Sequence, residues 1–292
     1  MNSDLRQQLE LSTSTIDDTD TDGRTALSWA AAKGDVDAVK VLLEFGANPN
    51  ICSHRGQSPL QWAGQNPSER CAEIMQALLD HNVDVNLIDR WNRIVLINAA
   101  GDLNDPECLR ILVDAGSHLN WRDCHRRTAV GVAAGGGKTE NVSFLISRGA
   151  DPRIPDHWGY APIHEAVEHN YHRLLERLLQ EHDIVPITKT VKGMTILHIA
   201  ALWSDIETMH LLAKCEDIKI LDPDECNDEG LSPQNLFDDR ENVTPKLREA
   251  FRALIEATLC NDDAPKTSNV ESNHDPNESD GCGEFTDAVE FQ

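Results

Sequence analysis

The chain has 292 residues, with 26 Lys and Arg against 50 Asp and Glu, a formal net charge of −24 and a pI near 4.7. A field of that sign repels phosphate backbones and anionic surfaces, so neither nucleic acid nor a membrane is an expected partner. Hydrophobic residues make up 40% of the chain but aromatics only 5%, which leaves alanine and leucine to build a core of closely packed helices.

No stretch approaches 18 consecutive apolar residues, and MNSDLRQQLELSTSTIDD lacks the basic start and apolar run of a secretory leader. The eight cysteines, at 52, 71, 108, 124, 215, 226, 260 and 282, form no CxxC pair. A reduced cytoplasmic or nuclear compartment is the expected setting. The sequons at Asn141 and Asn242 then carry no glycan.

Residues 1–17 read as a partly disordered N-terminal segment in which LRQQLEL adds at most a turn of helix. A repeating unit begins at residue 18. Residues 22–50 read DGRTALSWAAAKGDVDAVKVLLEFGANPN. The pattern returns as RGQSPLQWAGQ from Arg55, WNRIVLINAAG from Trp91, HRRTAVGVAAG from His125, WGYAPIHEAVE from Trp158 and KGMTILHIAAL from Lys192. A degenerate seventh copy, EGLSPQNLFDD, starts at Glu229. The register residues Gly23, Gly56, Asn92, Arg126, Gly159, Gly193 and Gly230 are spaced by 33, 36, 34, 33, 34 and 37.

Each copy predicts two short helices. The first carries Leu and Ala at helical spacing, as in Leu27, Ala30 and Ala31. The second carries Val39, Leu42 and Leu43, then Met75, Leu78 and Leu79, then Leu109, Leu112 and Val113. Neither stripe can be buried alone, so the copies must stack into one continuous core. A three-residue insertion around QNPSER predicts a bulge in the second copy. His182 and Glu216 stand where other copies have a terminal glycine. Residues 243–259 predict a closing helix pair with Arg248 and Glu249 outward. Residues 258–292 read as a disordered acidic tail.

A 33-residue period with a T-P-L-H-x-A-like segment resembles ankyrin repeat proteins, over about residues 18–257. TALSWAA and LFDDRENVTPKLREAFRALIE are similar to ankyrin proteins of filamentous fungi. The resemblance implies an all-α solenoid of six to seven helix-turn-helix repeats with short hairpin loops. It also implies a concave groove, lined by hairpin tips and the first helices, that binds proteins without catalysing a reaction.

Two segments imitate catalytic motifs. GGGKT at 135–139 lacks a glycine at Val132, as a phosphate loop would need, and falls on an inter-helix turn. HEAVEH at 164–169 sets its histidines five apart, about 140° round a helix, rather than on one face as HExxH does. His164 and His198 occupy the T-P-L-H position, which the resemblance makes a local hydrogen-bonding site. No metal spacing or nucleophile motif is present, and neither a cofactor nor an enzymatic activity is expected.

The middle tips concentrate basic and aromatic residues: Arg55, then Arg90, Trp91 and Arg93, then Arg126 and Arg127, then Trp158 and Tyr160. Trp29 and Trp62, 33 apart, add the helix side, and Trp121 sits on a hairpin arm. Tryptophan, tyrosine and arginine are enriched at binding hot spots. The sequence thus predicts a basic-aromatic stripe for an acidic or mixed protein segment, with Arg90, Trp91 and Arg93 of DRWNR free to project. A regulatory or sensor piece of a larger protein, or an enzyme-inhibiting ankyrin protein, is the alternative. The tail, carrying nine acids against Lys266, is a rival occupant of the stripe. Arg126 stands where a left-handed glycine is usual, which costs about 1 kcal/mol if φ is positive there.

Overall fold

The computed structural model describes residues 6, 15–66, 70–103, 105–180, 184 and 187–259. Most of 1–17, the middle of the QNPSER insertion, His182 and the tail from 260 lie outside the described residues, and so do the expectations placed on them.

Seven helix pairs follow one another. They are α1 (Ala26–Lys33) and α2 (Val36–Glu44), α3 (Pro59–Gly64) and α4 (Cys71–Leu79), α5 (Val95–Asp102) and α6 (Pro106–Asp114), and α7 (Ala129–Gly135) and α8 (Thr139–Ser147). Then come α9 (Pro162–Glu168) and α10 (His172–Gln180), α11 (Ile196–Trp203) and α12 (Ile206–Ala213), and α13 (Pro233–Asp238) and α14 (Pro245–Leu259). Among the described residues there is no strand, only an isolated bridge between Thr19 and Thr25. No helix there is long and apolar enough to cross a membrane.

Local sequence starts many of the helices. The side chains of Thr25, Ser58, Thr128 and Ser232 accept from the backbone N–H three residues on, capping first helices. Asp35 and Asp205 do the same for α2 and α12. Helices of six to nine residues are marginal alone, so packing decides their stability. First helices pack on first helices of the next repeat, and second helices on second helices, in two layers. Leu27, Ala31, Leu42, Met75, Leu78, Leu96, Leu109, Leu145 and Leu175 are all buried between them. Each buried leucine contributes roughly 2 kcal/mol.

The closing element differs from the expectation. Residues 245–259 form one continuous helix, because no glycine or proline interrupts KLREAFRALIEATL. The closing pair is α13 with α14, joined by Phe237 and Phe251 stacked at 4.0 Å between ring centroids. Arg248 and Glu249 are exposed, as expected. At Glu216 the second helix of the sixth repeat gives way to a 3₁₀ turn, Glu216–Ile220, in place of a glycine exit.

Between repeats the chain makes a hairpin whose tip is joined to the next tip by one backbone hydrogen bond. The N–H of His54 donates to Asp22, Arg90 to Arg55, Cys124 to Trp91, His157 to His125, Val191 to Trp158 and Asp228 to Lys192, at 2.8–3.1 Å. The tips therefore form a continuous row. The approach is close: a Cβ on Gly159 would lie 2.7 Å from the Cα of Thr190.

Candidate binding surface: the row of hairpin tips

Five of the seven tips are Asx-type turns, built on Asp20, Asp89, Asp123, Asp156 and Asn227, and in the other two the hydroxyls of Ser53 and Thr190 accept instead. The carboxylate of Asp89 accepts from the N–H groups of Trp91 and Arg93, both at 2.9 Å. Asp123 accepts likewise from His125 and Arg127, and Asp156 from Trp158 and Tyr160. The chain then needs one residue with positive φ, supplied by glycine in five tips, by Asn92 at 58° and by Arg126 at 61°. Arginine in the left-handed region is strained by its Cβ, so this turn departs from the local rule. The other non-glycine residues with positive φ are all asparagine among the described residues.

The stripe predicted from sequence divides into two sets. The expectation that Arg93 is free is corrected. Its guanidinium grips Asp89, whose side chain is fully buried, at 2.8–2.9 Å. Arg127 grips the equally buried Asp123 at 2.8 Å. A carboxylate folded into a turn needs that counter-charge, so both arginines hold the hairpin. Trp91 is half-buried, with the guanidinium carbons of Arg90 and Arg93 over its ring at 4.1 and 4.5 Å. Tyr160 is half-buried against His164, and burial raises its phenol pKa.

The second set faces solvent. Arg55, Arg90 and Arg126 are exposed, and no carboxylate pairs with them among the described residues. Trp158 is 52% exposed and stacks on His125 at 5.7 Å between ring centroids. At the next tip, where register places it, stands Val191, 68% exposed and left out of the predicted stripe.

On the helix side, Trp29 is exposed but anchored. Its indole N–H donates to Asp20 at 3.0 Å, and Arg24 lies over its ring at 4.2 Å. Trp62 is half-buried against the core, its N–H without a partner among the described residues. Trp121 donates to the carbonyl of Asn92, bracing the third tip. Sequence reasoning missed the exposed Trp203 at the end of α11, because it stands four residues beyond the Trp29 and Trp62 position.

The first helices, α5 and α9, also carry acids. Asp102 is exposed and Glu165 and Glu168 are half-buried. Burial raises the pKa of Glu165, opposed by His169 and Arg127.

The segments that imitate catalytic motifs have structural work. Gly137 forms the turn between α7 and α8 with φ 64°. His164 Nδ1 accepts from the N–H of Ala161 at 2.9 Å, and Nε2 donates to Thr188 at 3.1 Å in the next repeat. His198 repeats this with Thr195 and Leu231. Among the described residues, no group of three or more His, Cys, Asp or Glu is arranged to hold a metal ion.

Stacked helix pairs with a row of joined tips make this a repeat solenoid, a class whose members in general bind proteins. The chain belongs to the ankyrin repeat family: the family model described as ankyrin repeats (3 copies) matches residues 2–89, 68–156, 96–189 and 148–224. It is 31% identical to the transient receptor potential channel pyrexia of Drosophila melanogaster over 146 residues, 50% of this chain and 15% of that one. It is 32% identical to mouse Rabankyrin-5 over 161 residues, 54% of this chain and 14% of that one. The chain thus spans about a seventh of the length of these relatives. The human ASB11 ankyrin repeat domain superposes with a TM-score of 0.66 at 23% identity, covering 80% of this chain and 98% of that one, which shows the shared fold.

Proposed function

We propose that the chain is a non-catalytic scaffold that binds a protein segment through its row of hairpin tips. One observation carries this reading. Arg55, Arg90, Arg126 and Trp158 stand exposed in consecutive tips, serve no contact the fold requires, and include an arginine held at a backbone angle that favours glycine. Ankyrin repeats are in general protein-interaction modules, which supports the same conclusion. The absence of catalysis is part of the proposal. Its support is that His164 and His198, the side chains nearest to a catalytic pattern, are engaged in joints between repeats. An acidic or mixed segment suits the exposed arginines, and a cytoplasmic or nuclear setting suits Cys52, Cys71, Cys108, Cys215 and Cys226, which form no disulfide among the described residues.

The test is affinity capture from cells that express the chain, comparing wild type with Arg55→Ala, Arg90→Ala, Arg126→Ala and Trp158→Ala combined. Captured partners should fall while the melting temperature holds. Unchanged capture would remove the tip row from the function. Turnover of a substrate by the purified chain would count against a non-catalytic role.

A further inference from the structure

Resting on that reading, we propose that the tip row is divided along its length and selects one kind of partner. The partner is an extended protein segment with acidic residues at one end and bulky apolar residues at the other. It lies along the tips and not on the groove floor.

The order of exposed side chains carries the argument. The first tip shows Asp22. The next three show Arg55, Arg90 and Arg126, one unpaired guanidinium per tip among the described residues. The fifth and sixth show Trp158 and Val191, and the seventh shows Asp228 and Glu229. Arginines occupy one half of the row and the apolar side chains the other, with the exposed Lys192 beside Val191, and acids close both ends. The backbone bond from each tip to the next makes the six intervals one continuous edge, so the order of side chains is also their order in space. His125 joins the halves: it neighbours Arg126 in the chain and stacks beneath Trp158.

The floor argues against the usual depth of binding. Asp102 lies on α5 behind the cationic half, and Glu165 and Glu168 lie on α9 behind the fifth tip, where the halves meet. The Glu165 carboxylate sits above α7, 3.5 Å from where a Cβ on Gly135 would be. An acidic segment pressed down on this floor meets like charge, and repulsion of that kind excludes partners as strongly as attraction selects them. Kept at the tips, it meets arginine for acid and then Trp158 and Val191 for its apolar end. The polarity follows: the acidic end on repeats two to four, the apolar end on repeats five and six.

A random 16-residue peptide display library panned on the whole chain tests this. Enriched peptides should hold an acidic block and an apolar block in one fixed order. Synthetic copies should lose about tenfold or more in affinity on Arg55→Ala/Arg90→Ala/Arg126→Ala, an effect that shrinks with added salt. A comparable loss on Trp158→Ala/Val191→Ala should be insensitive to salt. Glu165→Gln/Glu168→Gln should leave affinity unchanged or raise it. Arg126→Gly keeps the test clear of folding: its melting temperature should rise while peptide affinity falls. Peptides that bind without the block order, or whose binding falls with the floor substitutions and not with the tips, overturn the division and leave the scaffold reading standing. Panning that enriches nothing over bare support overturns both.

Discussion

Repeats three and four close their hairpins differently from repeats five and six. In the third and fourth tips a buried aspartate is held by the arginine four residues on, Asp89 by Arg93 and Asp123 by Arg127. In the fifth and sixth repeats that place holds Tyr160 and Met194, and the joint to the next repeat is made by His164 and His198. Gln61 does the imidazole's work in the second repeat. Its Oε1 accepts from the Ser58 N–H, and its Nε2 donates to the carbonyls of Leu87 and Arg93. The joint between repeats is thus made by an amide that stays neutral at every physiological pH in the second repeat, and by a ring that titrates in the fifth and sixth. The solenoid should feel acid at one end only.

The largest test of that contrast is pH. Burial pulls the His164 imidazole from 6.5 down to about 4, and burial also lowers His198. The neutral ring is required, because Nδ1 accepts a hydrogen bond. Above pH 6.5 both the folded and unfolded states hold it neutral and its contribution is complete. As pH falls from 6.5 to 4 the unfolded chain takes up the proton first, so stability declines by about 3 kcal/mol for His164. Hydrogen exchange at pH 4.5 should show α9–α12 losing protection before α5–α8. His164→Gln, copying Gln61, should flatten this dependence; uniform loss along the array would break the contrast.

Arg93→Ala should destabilise by about 2 kcal/mol in urea unfolding, since Asp89 then stays buried without its counter-charge. A loss near zero would return Arg93 to the exposed set. Arg126→Gly should stabilise by about 1 kcal/mol, because only the left-handed strain is relieved. Smallest of all, Arg90→Ala should change stability by less than about 0.5 kcal/mol, as an exposed side chain away from caps and cores does.

The repeat itself was legible in the sequence, because a fixed period of glycine, apolar pairs and Thr-x-Leu segments writes the same packing problem seven times. Even Arg126 could be placed, and its positive φ anticipated, from its alignment with glycines. The state of each arginine was harder. Arg90 and Arg93 stand three residues apart in DRWNR, and nothing in their identity says that Arg93 is held by a carboxylate and Arg90 is not. The signal was present in the spacing D-x-x-x-R, found at 20–24, 89–93 and 123–127, which an Asx turn converts into an ion pair. Register puts Val191 at the sixth tip, but an aliphatic residue carries neither the charge nor the ring by which the stripe was drawn, so its exposure went uncounted.

The bonds between tips have a consequence for how such a surface changes over generations. Because they join main chain to main chain, the interval between neighbouring tips is fixed without reference to which side chains the tips bear. Letters can be exchanged at Arg55, Arg90, Trp158 or Val191 while the ruler they are mounted on keeps its graduations. A lineage can rewrite what the row recognises one mark at a time, with each intermediate still folded.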